Sequence, residues 1–203
     1  MQKINKKSPI PEFSNLMSKK NKPKVWDDVP SDVRFKMKCF MLSCEQNNLC
    51  GYTELPLKND NSHIDHFKKR NMFPKLTFVW DNFVIASIDE EFGAKFKDNH
   101  SNLTKKDYNI IYNPVVRGME NVVWYDKDGK MYPNDNNDVG TMRTIEIFNL
   151  NHKSLKQRRK VIIKQVDEYF KCGCSNEDIK EILQQSGFPS VIEWELNQLK
   201  EVY

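Results

Sequence analysis

The sequence predicts an α+β fold in which a small strand–strand–helix core lies between mainly α-helical N- and C-terminal regions. Two short apolar segments, residues 62–67 and 78–87, have the length and side-chain content of strands. Apolar residues recur at spacings of three and four in residues 31–46 and 152–171, which is typical of amphipathic helices. Among 203 residues, 38% are hydrophobic and 12 are Phe, so the chain can form an apolar core.

The N-terminal region is expected to begin as a flexible basic tail. Residues 1–24 are rich in lysine and poor in apolar side chains, so we expect them to be mobile or to become ordered on a partner. The first helix is expected to begin after Pro30, with Ser31 or Asp32 as its N-cap, and to run to about Gln46.

The middle of the chain predicts the order strand, loop, strand, helix. The two strands are separated by a loop, residues 68–76, that begins with three basic side chains. Residues 89–97 can form a short helix that is acidic at its start and basic at its end, as the helix dipole favours. Residues 25–100 are therefore expected to form one unit of an N-terminal helix and a core.

Residues 101–203 predict a hairpin followed by a helical region, packed as one unit with the core and available to dock a partner. The expected elements are a hairpin at 122–132 around Asp128 and Gly129, a strand at 144–148, a helix at 152–171 capped by Asn151, a helix capped by Ser175, and a last helix after Pro189.

Composition excludes some functional classes. No apolar run approaches the roughly 18 residues of a membrane span, and the basic N-terminus has no apolar stretch behind it, so we expect a cytoplasmic protein. The five cysteines are an odd number and do not indicate a disulfide framework. The formal net charge of +4 permits contact with phosphate without requiring it.

Residues 63–67 carry two of the four histidines around an aspartate, and Asn82 follows on the next apolar segment. Hydrolysis of a phosphodiester needs a base that is effective near neutral pH, which suits His66, and a divalent cation, which Asp65 could hold. His63 lies two residues from Asp65, where it could bind phosphate or metal or simply pack in support. A polar strand with chance histidines is the alternative interpretation.

The order of several short motifs resembles the HNH endonucleases of prokaryotic anti-phage systems, particularly the Septu nuclease PtuB and related retron-associated HNH proteins. The resemblance covers about residues 26–170. The matching pieces are Trp26, Cys50-Gly51-Tyr52-Thr53-Glu54, His63-Ile64-Asp65-His66-Phe67, Phe73-Pro74-Lys75-Leu76, Trp80-Asp81-Asn82-Phe83 and Lys95-Phe96-Lys97-Asp98.

The resemblance implies a ββα-metal (HNH) nuclease core. In that core His66 would activate water, Asp65 would hold Mg²⁺ or Mn²⁺, and Asn82 would orient the base. The second metal ligand aligns less clearly; Glu91 is the first candidate, and Asp98 or His100 are later ones. The side chains expected to contact nucleic acid are Lys68, Lys69, Arg70, Lys95 and Lys97.

The same resemblance implies partners and one departure from the family. The expected partners are a nucleic-acid substrate, DNA or RNA, an ATPase of the PtuA type and, in a retron, a reverse transcriptase with its RNA–DNA product. Many relatives bind a structural zinc through two cysteine pairs, but here Thr53 follows Cys50 and residues 87–91 contain no cysteine. A structural zinc is therefore not expected.

Two rival hypotheses follow from these observations. One is a catalytically degenerate HNH-like subunit that binds nucleic acid or a partner ATPase without cleaving, which the missing cysteines suggest. The other is an unrelated helical adaptor.

Overall fold

The structure is a computed structural model that describes residues 1–202, with side chains to residue 200. Helices and a small amount of strand are both present, which is compatible with the α+β class. No helix in this range is long and apolar enough to cross a membrane. The helices are α1 Pro11–Ser18, α2 Ser31–Phe40, α3 Gly93–Asn99, α4 Val139–Ile147, α5 Lys153–Lys171, α6 Asn176–Leu183 and α7 Pro189–Val202; the strands are β1 Ser62–His66, β2 Phe83–Ser87, β3 Val123–Tyr125 and β4 Met131–Pro133.

The strand, loop, strand, helix order predicted for the middle of the chain is confirmed. Strands β1 and β2 pair antiparallel, with Ser62 opposite Ser87 and His66 opposite Phe83, and α3 packs against β2. Strand β2 is shorter than predicted, because a 3-10 turn over Trp80–Asn82 precedes it. Helix α3 also begins late, at Gly93, whose φ of 69° turns the chain into the helix.

The N-terminal segment is packed on the core, although its composition predicts a mobile tail. Met1, Ile4 and Phe13 are buried in the hydrophobic cluster. The ammonium of Lys6 lies 2.7 Å from the buried carboxylate of Glu45, which also accepts the indole N–H of Trp80 at 3.0 Å. The few apolar side chains among the lysines therefore suffice to dock the segment, since each is buried and a paired carboxylate offsets one of the charges.

Helix α2 lies where the sequence predicts it and continues as a π-helical turn over Met41–Glu45. Its N-cap is Pro30, so neither Ser31 nor Asp32 caps it, and no side chain bonds to the cap. The side chain of Gln46 accepts the backbone N–H of Ile85 at 2.8 Å and donates to its carbonyl at 2.9 Å. These two bonds pair the outward-facing N–H and carbonyl of Ile85, as a neighbouring strand would.

The predicted hairpin is confirmed as β3 and β4, but the strand predicted at 144–148 is wrong. Most of that segment is the end of α4, and Phe148 is the C-cap. Asp138 caps α4 by accepting the N–H of Thr141 at 2.9 Å, and the buried side chains Thr141, Thr144 and Ile147 recur every three residues. The cap and the helical spacing of buried side chains outweigh the strand preference of a short β-branched run.

The three C-terminal helices follow the prediction, with one change at a cap. His152 is the N-cap of α5, whereas the Asn151 side chain both accepts from and donates to the backbone of Met131 at 2.8 Å. Asn151 thus joins α5 to the hairpin. Ser175 caps α6 as predicted, in a reciprocal capping box with Asp178.

One hydrophobic cluster joins the two halves of the chain. The ring of Tyr52 stacks on Phe148 at 4.4 Å, and the carboxylate of Glu54 accepts the N–H of Ser190 at 2.9 Å. The N–H of Gly93 donates to the Phe148 carbonyl at 2.8 Å. The C-terminal half therefore supports the loop before β1 and the start of α3, the two segments that complete the site at the end of β1.

Candidate active site

His66 ends β1, and its ring is held by aromatic edges and one backbone carbonyl. The ring packs edge-on against Trp26 at 4.8 Å and Phe83 at 5.0 Å between centroids. Its Nε2 lies 2.9 Å from the carbonyl oxygen of Thr77. Because a carbonyl can only accept, the neutral ring carries its proton on Nε2 and leaves the lone pair on Nδ1. Among the described residues no hydrogen bond to Nδ1 is present, and His66 as a whole is 7% exposed.

The surroundings of His66 keep its ring neutral. Burial lowers the pKa of His66 to about 4, against the opposing effects of the Thr77 hydrogen bond and the Asp65 charge. The positive charges of Arg70 and Lys97 lower the pKa further. The ring is therefore unprotonated at neutral pH and can accept a proton, but a pKa of about 4 makes it a weaker base than an imidazole with a pKa of about 7.

Asn82 holds the loop between the strands. Its Oδ1 accepts the N–H of Lys68 at 2.8 Å, and its Nδ2 donates to the carbonyls of Lys68 at 3.1 Å and Leu76 at 3.2 Å. Leu76 directly precedes Thr77, whose carbonyl fixes the His66 ring. Asn82 therefore orients the base through the loop rather than by contact with His66.

Asp65 is enclosed and already has two partners. Its side chain is 4% exposed, and its Oδ2 accepts the hydroxyl of Tyr52 at 2.5 Å and the ammonium of Lys97 at 2.8 Å. Burial and the Asp65 charge raise the pKa of Tyr52 well above its ordinary value, so the hydroxyl remains a donor. Burial alone would raise the pKa of Asp65, but the Lys97 ammonium brings it below its usual value. Asp65 is an ionised carboxylate in a closed ion pair.

Lys97 lies in the last turn of α3 and points inward. Its Nζ contacts Asp65, the carbonyls of His66 at 2.9 Å and Phe67 at 3.3 Å, and a carboxylate oxygen of Asp98 at 3.2 Å. Burial would lower the pKa of Lys97, but the two carboxylates raise it above the ordinary value. The side chain is 0% exposed, so the expectation that Lys97 contacts nucleic acid is not met.

The other candidate metal ligands do not converge on Asp65. The exposed carboxylate of Glu91 lies 3.5 Å from the imidazole of His152, outside the cluster. His100 is exposed, with its ring 5.7 Å from that of Phe96. Of these candidates Asp98 lies nearest to Asp65, because the Lys97 ammonium contacts both carboxylates.

The residues at Asp65 therefore do not fit Mg²⁺ or Mn²⁺. In the part of the chain that the structure describes, no group of three His, Cys, Asp or Glu side chains is placed to hold a metal ion, but Mg²⁺ can bind through one or two carboxylates and water, so the fit depends on Lys97. The Lys97 ammonium already neutralises the Asp65 carboxylate, so a divalent cation would have to displace it. A metal could enter only if Lys97 left.

His63 supports the strand and does not join the reacting groups. It lies opposite Ala86 in the β1–β2 pair, on the strand face of Asp65. Its Nδ1 is enclosed without a hydrogen-bond partner, and burial lowers the pKa of the ring. A half-buried imidazole with one enclosed nitrogen is consistent with the supporting role.

The loop after β1 carries the exposed positive charge beside His66. Arg70 is exposed and close enough to lower the pKa of His66. Lys68 lies over the ring of Phe73 at 5.3 Å, and Lys105 lies over the same ring at 5.9 Å. We call Lys68, Arg70, Phe73 and Lys105 together the basic loop surface.

Two other lysines of the predicted nucleic-acid surface are placed differently. The ammonium of Lys69 donates to the Asp98 carbonyl at 3.0 Å and lies 3.7 Å from its carboxylate, so much of its charge is neutralised. Lys95 is half-buried on α3, near enough to His63 to lower its pKa.

Three residues of the site were not predicted from the sequence. Tyr52 and Trp26 belong to motifs quoted for the resemblance, yet no role was assigned to them; the structure puts them on Asp65 and His66. Thr77 contributes through its carbonyl, which no side-chain pattern reveals. A scan of protein-family models and a search of the curated proteins both give no match, so the functional argument depends on this geometry and on the resemblance.

Proposed function

We propose that the chain hydrolyses phosphodiester bonds of nucleic acid, with His66 as the general base. The observation that carries this proposal is the state of the His66 ring: neutral, oriented through Nε2 by the Thr77 carbonyl, and with the Nδ1 lone pair unused.

In the proposed reaction a water molecule gives a proton to Nδ1 of His66 while its oxygen bonds to phosphorus. The bond from phosphorus to the leaving sugar oxygen breaks, and that oxygen takes a proton from solvent. The Thr77 carbonyl stabilises the imidazolium that forms, because the Nε2 hydrogen bond strengthens with the charge. Asn82 keeps this carbonyl in place. No step is written through a metal ion, because the Lys97 ammonium already pairs with the Asp65 carboxylate.

The substrate would approach along the basic loop surface. The exposed Arg70 would contact non-bridging phosphate oxygens beside His66, and Lys68 and Lys105 would contact neighbouring phosphates. Phosphate contacts provide affinity without sequence selection, so both DNA and RNA belong in the test.

The biological setting of the proposal comes from the resemblance. The chain would act in the cytoplasm as the nuclease of an anti-phage defence complex of the Septu or retron type. Its partner would be a PtuA-type ATPase, joined in a retron by a reverse transcriptase and its RNA–DNA product.

A second candidate function is a non-cleaving subunit that binds nucleic acid or the ATPase. One observation favours it: Asp65 is neutralised by Lys97 and enclosed, so the site lacks the open carboxylate that a metal-dependent nuclease uses.

Cleavage and binding assays on the same protein separate the two candidates. Wild type and His66→Ala are incubated with supercoiled plasmid and with total tRNA, with Mg²⁺, Mn²⁺ or EDTA, alone and with the ATPase. The proposal expects cleavage by wild type and a loss of at least a hundredfold in His66→Ala, with unchanged substrate affinity. Tight binding by both proteins without cleavage supports the second candidate and overturns the first.

A further inference from the structure

We propose that the Lys97 ammonium is the permanent cation of this site, standing beside Asp65 where the sequence predicts Mg²⁺ or Mn²⁺. The site would then operate without a divalent metal. The role of Lys97 in catalysis rests on the proposed function. Its effect on metal binding follows from the geometry of the site.

The ammonium occupies an oxygen-lined position of the kind that hard cations prefer. Four oxygen atoms lie 2.8 to 3.3 Å from Nζ: one from the Asp65 carboxylate, one from the Asp98 carboxylate, and the carbonyls of His66 and Phe67. Carboxylates and backbone carbonyls are the ligands that proteins offer to Mg²⁺ and Ca²⁺. Here a side chain of the same molecule fills the position.

The charges around this position already balance. Asp65, Lys97, Asp98 and Lys69 form an alternating chain from the interior to the surface, with the last pair 3.7 Å apart. Two carboxylates and two ammonium groups leave no negative charge in excess to attract a divalent ion. Tyr52 satisfies Asp65 from its other side, so the carboxylate needs no further ligand.

The ammonium also fixes the end of β1. Its bonds to the carbonyls of His66 and Phe67 tie the backbone of the base to α3. Lys97 is therefore a positioning residue that acts through His66, since its enclosed side chain cannot touch the substrate. A metal bound at the same oxygens would orient the same strand end.

This arrangement predicts a latent metal site. Lys97→Ala removes the ammonium and leaves the Asp65 and Asp98 carboxylates with the two carbonyls around an opened space. Mn²⁺ binding is measured from the electron paramagnetic resonance signal of free Mn²⁺ for wild type, Lys97→Ala and Asp65→Asn/Lys97→Ala. The matched control is Lys180→Ala, which removes a lysine from an exposed pair with Glu193 and lowers the net charge equally.

Wild type and Lys180→Ala are expected to show no saturable Mn²⁺ site, and Lys97→Ala is expected to bind Mn²⁺ at least tenfold more tightly than wild type. The added Asp65→Asn change should return binding to the wild-type level. One Mn²⁺ bound per wild-type chain, or equal Mn²⁺ affinity in wild type and Lys97→Ala, overturns the inference. If Lys97→Ala does not fold, the wild-type titration alone still decides it.

The catalytic consequence is tested separately. Cleavage by wild type in EDTA at the rate seen with Mg²⁺ supports the inference, whereas cleavage only with a divalent ion overturns it and leaves the proposed function standing. No cleavage under any condition, together with the absence of a Mn²⁺ site, overturns the proposed function and leaves the assignment of Lys97 as the site's cation.

Discussion

Replacing Lys97 with methionine removes one charge from the interior and keeps the length of the side chain. Its Nζ lies 2.8 Å from Asp65, and the attraction across this pair is about 6 kcal/mol at an effective dielectric constant of 20. The substitution leaves the buried Asp65 carboxylate with Tyr52 as its one remaining hydrogen-bond partner. The carbonyls of His66 and Phe67 also lose the ammonium donor. Breaking a buried pair in this way costs about 3 to 5 kcal/mol. We expect Lys97→Met to lower the free energy of unfolding by that amount.

Urea denaturation of wild type, Lys97→Met, Asp65→Asn and the double variant measures this cost and the coupling between the two residues. The double variant should be more stable than Lys97→Met, with a coupling energy of at least about 2 kcal/mol, because neither charge is then left alone. Lys180→Met, on an exposed pair, is the control and should not change stability measurably. A cost below about 1 kcal/mol for Lys97→Met, or additive effects in the double variant, would refute the buried ion pair.

Three further predictions concern the base, the loop and the surface. The pKa of His66 is about 4 in the folded state and 6.5 in the unfolded chain, so the unfolded chain binds more protons and stability decreases as the pH is lowered. Between pH 7.5 and 5 the loss from this group is about 2 kcal/mol, and His66→Gln should show a smaller loss in urea unfolding; an equal loss would contradict the assignment. Asn82→Ala should destabilise the protein by about 1 to 3 kcal/mol, because the N–H and carbonyl of Lys68 lose their partner. Single-turnover cleavage should slow as well. Unchanged stability would show that the loop does not need Asn82. Arg70→Ala should weaken nucleic-acid binding and reduce the salt-dependence slope by about one in fluorescence anisotropy, whereas Glu91→Ala should leave the slope unchanged; no change for Arg70→Ala would exclude it from the interface.

The sequence predicted the strand–strand–helix order and most helices, because their apolar periodicity and caps are local signals. It also predicted that His66 and Asp65 lie at the end of a strand. It failed at residues 144–148, where the cap at Asp138 and a buried helical face outweigh strand preference. It failed at the N-terminus, because the buried Met1 and Ile4 are held by backbone hydrogen bonds to Met119 and Pro114, far along the chain.

The arrangement around Asp65 could not be predicted from spacing. Lys97 and Asp98 are adjacent charged residues on a short helix, and a helix start shifted by one residue would rotate Lys97 away from the interior by about 100°. The contact of Lys97 with Asp65 therefore depends on where α3 begins, which Gly93 and its bond to the Phe148 carbonyl determine. The role of Thr77 is carried by its backbone and leaves no trace in the sequence.

In the proposed reaction the lone pair on Nδ1 of His66 activates water without a divalent metal. Single-turnover cleavage of plasmid and tRNA in EDTA, with the partner ATPase present, tests it most directly by comparing wild type with His66→Ala. We expect product from wild type in EDTA and at least a hundredfold slower cleavage by His66→Ala. Equal rates for the two proteins, or no product from wild type, would contradict it.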